Sequence, residues 1–198
     1  MSLLNFASLF FQQVPPFSNR TAFDGAILNY TNQARTDPKS FIPYLQQILA
    51  TQDTPPPNLR GRFPYNLVEG TAIINETIDF LNNTQPLNIL VWDQRLNQSC
   101  EVLVNDTGKL GLLQHETSNG TTMSERIRQY VMDANTIGEN LAFGYTTPFS
   151  VVLALIIDDG IPNRGHRANI FKPQFRFMGG YTGPHSRFRT MSCQDFSG

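Results

Sequence analysis

Apolar residues recur at about every third or fourth position along most of the first three quarters of the chain. This spacing predicts helices over about Ala22–Thr36, Lys39–Ala50 and Thr71–Leu81. Pro38 ends the first of them, because the residue before a proline is steered away from the helical conformation. The proline-rich stretch Thr54–Pro64 predicts the loop between the second helix and the third.

The next helices are predicted from the residues that start them. Asp93 is a good N-cap for a helix with apolar residues at helical spacing behind it. Thr122 and Glu125 have the spacing of a capping box, which predicts a short helix after them. Thr147 precedes a proline, a residue favoured at the first helical position, and the apolar run 151–157 follows.

The last quarter of the chain changes to the alternating pattern of strands. Phe175–Tyr181 and Phe188–Phe196 are predicted strands, with a turn near Gly183 and Pro184 between them. One more strand is expected among the helices. This order of elements indicates a single α+β domain, and 198 residues suffice for one sizeable core.

Composition and charge exclude some partners. The formal net charge is -1, from 15 basic and 16 acidic side chains, and the basic residues form no stripe. We therefore expect no binding to nucleic acid or to anionic membrane surfaces. No apolar run reaches the roughly 18–20 residues that span a bilayer, so no transmembrane segment is predicted.

The first 21 residues have two interpretations. Leu3–Phe11 is mostly apolar, like the core of a signal peptide, yet no basic residue precedes it. Residues 1–21 are therefore either an atypical signal segment or an arm that packs on the domain of residues 22–198.

Two further observations concern the compartment. The glycosylation sequence Asn-x-Ser/Thr occurs seven times, at Asn19, Asn29, Asn75, Asn82, Asn97, Asn105 and Asn119. Chance would give about two or three such matches, so we expect a secreted, extracellular glycoprotein. Cys100 and Cys193 are compatible with a disulfide in an oxidising compartment and equally with two buried thiols.

Candidate chemistry is confined to a few acidic residues and the histidines. Glu139 lies between a glycine and an apolar stretch, where an ionised carboxylate needs a partner. Asp158 and Asp159 end a very apolar helix, where the macrodipole disfavours negative charge. Either a histidine, a cation or backbone donors offset this charge, or both carboxylates face water at a solvated helix end. The histidines are His115, His166 and His185, and we interpret the last as structural or as a hairpin surface residue.

Four motifs follow one another along the chain: His115, Gly138-Glu139-Asn140-Leu141, Asp158-Asp159-Gly160 and Gly165-His166-Arg167-x-Asn169-Ile170. Together they resemble the CAP superfamily, also called SCP/TAPS, which includes cysteine-rich secretory proteins, antigen 5 and plant PR-1 proteins. The resemblance covers roughly Phe23–Phe196. The histidine signature, Gly-His-Arg-Ala-Asn, is similar to that of the shorter, bacterial-like members.

The resemblance implies a fold and a site. The fold is an α-β-α sandwich, with a small antiparallel sheet between helical layers. The site is a cleft lined by two histidines and two acids, which by motif are His115, Glu139, His166 and either Asp158 or, after a shift of one residue, Asp159. The family usually has Glu at the last position, after a helix tryptophan that is Leu155 in this chain.

Two neutral imidazoles that converge suit Zn²⁺ or another divalent metal ion, so His115 and His166 are the predicted metal ligands. Two protein ligands predict weak and pH-dependent binding. The resemblance implies a non-enzymatic extracellular module for binding, defence or signalling, with a lipid, a sterol or an extracellular protein as partner. The alternative is a metal-dependent, protease-like hydrolase in which Glu139 is the general base.

Overall fold

The computed structural model describes residues 3–10 and 20–198, which form a small sheet with helices on both faces. Short 3₁₀ turns occur at Pro38–Phe41 and Pro57–Leu59. The strands are β1 (Val91–Trp92), β2 (Ile137–Phe143), β3 (Phe177–His185) and β4 (Arg189–Ser197). The helices in the described ranges are α1 (Leu3–Ser8), α2 (Arg20–Thr36), α3 (Ile42–Ala50), α4 (Thr71–Asn83), α5 (Gln94–Leu110), α6 (Met123–Arg128), α7 (Pro148–Ile157) and α8 (Gly165–Ile170).

The sheet has the strand order β1-β3-β4-β2, so β2 is an edge strand. β2, β4 and β3 pair antiparallel, and the two residues of β1 pair parallel with β3. In the β2–β4 register, Glu139 lies opposite Asp195 and Leu141 opposite Cys193. These four side chains share one face of the sheet, because successive side chains of a strand alternate between faces.

Helix α5 packs on that face, and α2, α7 and α8 lie on the other side with the larger core. The close approach of α5 depends on two glycines of β3. A Cβ atom at Gly179 would collide with the backbone of α5, and one at Gly183 would lie 2.6 Å from Val104 Cγ1. The layers confirm the predicted α+β sandwich.

The predicted helix starts are confirmed. The Asp93 carboxylate accepts from the Arg95 N–H, and Thr122 and Glu125 form the expected capping box before α6. Thr147 caps α7 with Pro148 at its first position. The helix expected over Lys39–Ala50 instead begins at Ile42, because its first turn is the 3₁₀ segment.

The turn predicted near Gly183 and Pro184 is wrong, because both residues belong to β3. The chain turns at residues 186–188, and Pro184 pairs with Thr190. A proline is tolerated there because β1 pairs with β3 only at Phe177 and Met178, so β3 has no neighbouring strand on that side at Pro184. Helix α8, which carries His166, has no counterpart among the predicted helices.

The first described segment packs on the domain. Phe6 and Phe10 are buried in the main core, and the Phe10 ring centroid lies 5.6 Å from that of Phe149. Asn19, the first predicted glycosylation site, lies outside the described residues. Among the described helices none combines the length and apolar character needed to cross a bilayer.

Candidate functional site

The edge strand β2 brings Glu139 into the site, and the glycine before it makes room. A Cβ atom at Gly138 would lie 2.8 Å from Phe175 Cζ and 3.0 Å from Asn169 Oδ1. Glycine therefore lets α8 and the segment before β3 pack directly against β2. The Glu139 side chain is fully buried, so its charge must be met by protein groups.

His115 and Arg126 meet that charge. Glu139 Oε1 lies 2.7 Å from His115 Nδ1, and Glu139 Oε2 accepts from the Arg126 guanidinium. Arg126 also donates to the His115 carbonyl oxygen at 2.8 Å, which fixes the loop that carries the imidazole. His115 remains 47% exposed at its side chain, while Arg126 is buried. The pair is thus a surface-facing imidazole oriented by a buried, charge-balanced carboxylate.

A second carboxyl group lies behind Glu139. Asp195 is fully buried, its Oδ1 is 3.9 Å from Arg126 Nη2, and its Oδ2 has no hydrogen-bond partner among the described residues. Burial, and next the charge of Glu139, raise the pKa of Asp195 well above its usual range. Burial raises the pKa of Glu139 to about 7, against the opposing effect of Arg126. Arg126 is therefore one cation beside two buried carboxyl groups.

The other histidine forms an analogous pair. His166 Nδ1 lies 2.6 Å from Asp158 Oδ1, and the backbone N–H groups of His166 and Arg167 donate to Asp158 Oδ2 at 2.8 and 3.1 Å. Asp158 ends α7 in the left-handed conformation, with φ of 57°. These donors offset the unfavourable position of a carboxylate at a helix C-terminus.

Asp159 is bonded to a neighbouring loop rather than to a histidine. Its carboxylate accepts from the backbone N–H groups of Val68 and Glu69, at 2.6 and 2.9 Å. Of the two aspartates considered as the second acid, Asp158 therefore contacts a histidine, and Asp159 holds a loop. His185 is buried in the β3–β4 hairpin, with Nε2 3.2 Å from the Leu112 carbonyl oxygen and Nδ1 close to the N–H groups of residues 187 and 188. Its role is structural.

Two asparagines link the two pairs. Asn140 donates to the His166 carbonyl oxygen at 3.1 Å, and Asn169 donates to the Glu139 carbonyl oxygen at 3.1 Å and to Asn140 Oδ1 at 2.9 Å. Because Glu139 and Asn140 point to opposite faces of β2, His115 and His166 approach this edge strand from its two sides. Asp158 and His166 line a pocket of about 370 Å³ together with apolar residues that include Leu141, Ala142, Leu155 and Ile161.

Each of the two histidines is held at one ring nitrogen, which determines the nitrogen that would serve as a metal ligand. Both Nδ1 atoms face carboxylates, which places the proton on Nδ1 and leaves the Nε2 lone pair as donor. Among the described residues, the compact cluster of possible ligand groups is Cys100, Cys193 and Asp195. Its two sulfurs form a disulfide, so they are not thiolate ligands. The two histidines do not belong to such a cluster.

Sequence reasoning missed Arg126, Asp195 and the roles of the two asparagines. Asn140 and Asn169 belong to the four sequence motifs, so the sequence indicates their positions but not their contacts. Arg126 directly follows the capping box, and nothing in the local pattern marks it as buried. Asp195 is in a strand that is buried at every position after Arg189, and its place on the same face as Met191 and Cys193 is the one available signal.

This fold and site define a class of protein. Its members are α-β-α layered domains in which carboxylates hold two histidines at one edge of the sheet. The sequence model of the CAP family, described as the cysteine-rich secretory protein family, matches residues 28–196. The chain belongs to this family. No curated protein matches the chain.

Similar solved structures share between 10% and 24% sequence identity with this chain. One is an extracellular protein containing an SCP domain from Bacillus anthracis, with 21% identity and a TM-score of 0.47 over 64% of this chain and 39% of that one. An outer surface protein from Borrelia burgdorferi has 24% identity and a TM-score of 0.48, over 64% of this chain and 86% of that one. A cysteine-rich secretory protein from Staphylococcus aureus has 10% identity and a TM-score of 0.49, over 92% of this chain and 40% of that one. The chain thus spans about two fifths of the first and third proteins, and these descriptions apply to those proteins alone.

Proposed function

We propose that this protein is a secreted, non-enzymatic binding module whose cleft takes a weakly held divalent metal ion, Zn²⁺ or a similar one, through His115 and His166. The observation that carries the proposal is the matched pair of contacts at Nδ1, 2.7 Å to Glu139 and 2.6 Å to Asp158. A carboxylate at one imidazole nitrogen orients the ring and makes the other nitrogen a better ligand.

The protonation state of His115 also suits a metal ligand. Burial lowers the pKa of His115, so the imidazole is neutral at neutral pH and its Nε2 lone pair is available. Water would complete the coordination of the ion, since two histidines fall short of the four ligands of a structural zinc site.

The same contacts favour binding over hydrolysis. A general base needs a free carboxylate oxygen to take a proton from water. Both Glu139 oxygens are engaged, one by His115 and one by Arg126, and the side chain is buried. The alternative, a metal-dependent hydrolase with Glu139 as base, requires that Glu139→Ala abolish an activity while the fold survives.

Calorimetric titration with Zn²⁺ at pH 7.5 tests the metal proposal. Saturable binding by the wild type, lost in His115→Ala/His166→Ala and weakened at about pH 5.5 by histidine protonation, is the expected result. His185→Asn changes a histidine outside the cleft, and Glu116→Gln changes an acid beside His115; both should retain binding. Absence of binding by the wild type at neutral pH would refute the metal site.

Exposure of the glycosylation sequences supports the secreted part of the proposal. Asn29, Asn75, Asn82, Asn105 and Asn119 are exposed, as a glycan requires. Asn97 is half-buried and donates to the Gly180 carbonyl oxygen, so it is the least suitable of the six described sites.

A lipid or sterol is the second candidate ligand, favoured by the apolar lining of the pocket beside His166. Lipid binding should survive His115→Ala/His166→Ala. It should be lost in Ile161→Glu, which places a charge at a partly exposed lining position. The two variants thus separate a lipid site from a metal site.

A further inference from the structure

A second and larger pocket adjoins the cleft. It encloses about 540 Å³ and is lined by the rings of Phe10, Phe63, Phe143, Tyr145 and Phe188. Phe63, Phe143 and Tyr145 also line the pocket beside His166, so the two spaces are neighbours across these rings. Neither candidate metal ligand lines the larger pocket.

The rings come from distant parts of the chain and meet edge to face. The centroids of Phe63 and Tyr145 are 5.2 Å apart, and those of Phe10 and Phe63 are 6.0 Å apart, both in T-shaped geometry. Phe188 lies 6.1 Å from Phe143 and remains 38% exposed at the end of the β3–β4 hairpin. Rings in these arrangements leave edges and faces against which another aromatic ring can pack.

Charge divides the two spaces. The charged residues that line the larger pocket are Arg62 and Arg189, both exposed at its rim, and no carboxylate lines it in the described part of the chain. The pocket beside His166 has the opposite character, because Asp158 and Asp159 line it and none of the described Lys or Arg residues does. An anionic group would therefore be attracted to the arginine end and repelled from the aspartate end.

We propose that this second pocket binds a small organic anion with an aromatic ring system, its carboxylate or sulfonate beside Arg62 and Arg189. The ring system lies among the phenylalanines, and the anionic group stays at the solvated rim, where its desolvation cost is small. The Arg189 guanidinium offers paired N–H donors to such a head group, and the exposed charge of Arg62 adds to the attraction.

Three probes of similar size test the class of ligand by calorimetry on the wild-type chain. Naphthoate, naphthylmethylammonium and laurate differ in charge or in the apolar body. Naphthoate should bind at least about tenfold more tightly than the ammonium compound and more tightly than laurate. Equal affinity for the two naphthyl compounds would overturn the role of the arginines, and tighter binding of laurate would overturn the aromatic specificity.

Variants locate the site. Arg62→Gln/Arg189→Gln should weaken naphthoate binding about tenfold, since each exposed charge contributes modestly. Phe188→Leu keeps an apolar side chain but removes a ring, and should also weaken it. Arg60→Gln is the matched control, because Arg60 is exposed two positions from Arg62 and does not line the pocket. An equal loss in Arg60→Gln would overturn the proposed site.

This inference stands apart from the metal proposal. His115→Ala/His166→Ala should leave naphthoate binding unchanged, and Arg62→Gln/Arg189→Gln should leave Zn²⁺ binding unchanged. Failure of one ligand to bind therefore leaves the result for the other intact. Loss of naphthoate binding in the histidine variant would overturn the assignment to the second pocket.

Discussion

At the residue scale, the orientation of His115 depends on how one buried arginine is shared. Arg126 contacts Glu139 and lies 3.9 Å from Asp195, so one cation faces two carboxyl groups. Two carboxylates in so small a dry space cannot both stay ionised, and one of them keeps a proton. Glu139 accepts from His115 and Arg126, whereas Asp195 Oδ2 has no partner among the described residues, so Asp195 is the acid that stays neutral.

Asp195→Asn tests this assignment. Because Asn has the shape of a protonated Asp, stability near pH 4 should change by no more than about 1 kcal/mol, and at neutral pH the variant should be the more stable protein. The raised pKa means that folded Asp195 keeps a proton that the unfolded chain releases, so stability falls as pH rises from about 4 through the folded pKa. Asn does not titrate, and urea unfolding between about pH 4 and 7 should show a shallower fall in the variant.

Asp24→Asn is the matched control, because Asp24 is also buried but accepts from the Thr182 hydroxyl at 2.7 Å and from the Thr182 N–H at 3.3 Å. Asn keeps one carbonyl oxygen and turns an NH₂ toward the other donor, which should cost about 1–3 kcal/mol at neutral pH. If Asp195→Asn costs as much as Asp24→Asn, Asp195 is ionised in the folded protein and the assignment fails.

At the scale of elements, charged residues at the α7–α8 junction hold the loop of residues 60–70, which lies beside the cleft. Asp159 accepts from the N–H groups of residues 68 and 69, and the Glu69 carboxylate accepts from the Gly160 N–H at 2.8 Å. Arg164 joins Glu69 and Glu76 with contacts of 2.7 to 3.0 Å. Phe63, Leu67 and Val68 of this loop line the pocket beside His166.

Asp159→Ala should therefore loosen the loop without unfolding the domain. Exposed ion pairs and hydrogen bonds contribute little to global stability, about 0–1 kcal/mol each. The amides of Val68 and Glu69, however, lose their acceptor, and their hydrogen exchange should become faster by about tenfold. Asp79→Ala, an exposed acid on α4, is the control and should leave both amides unchanged. Unchanged exchange in Asp159→Ala would show that Asp159 does not hold the loop.

Local signals predicted most of these elements, and the failures have identifiable causes. Asp93, Thr122 and Thr147 predicted helix starts because a cap acts within one turn. Gly183 and Pro184 suggested a turn, but both lie within a strand for reasons that come from other parts of the chain. Gly183 makes room for α5, and Pro184 is tolerated because β1 is too short to pair with it. Helix α8 has only six residues, too few for a periodic pattern.

At the scale of the molecule, the site residues known from the motifs were predicted, and the contacts that organise them were not. Glu139 and Asp195 become neighbours only through the pairing of β2 with β4, and Arg126 reaches them from α6. The choice between Asp158 and Asp159 depended on the direction of each side chain, which differs between adjacent residues. Such facts follow from the assembled fold, because no periodicity along the chain encodes them.

The disulfide joins the two parts of the chain on which the site depends. Cys100 in α5 and Cys193 in β4 are 93 residues apart, and the Cys193 sulfur lies 3.2 Å from Glu139 Oε2. Closing so long a loop restricts the unfolded chain, so Cys100→Ala/Cys193→Ala should lower the free energy of unfolding by about 3–5 kcal/mol. Guanidinium unfolding of both proteins measures the difference.

Two results would complete this test. Both sulfurs are buried, so a mild reductant without denaturant should leave the native wild type oxidised over hours, whereas the same reductant in denaturant should lower its midpoint to that of the variant. A loss below about 1 kcal/mol would show that the bridge does not stabilise the fold and that packing of α5 on β3 suffices to position β4. Retention of Zn²⁺ binding by the variant would then show that the histidine pairs are organised by hydrogen bonds rather than by the covalent link.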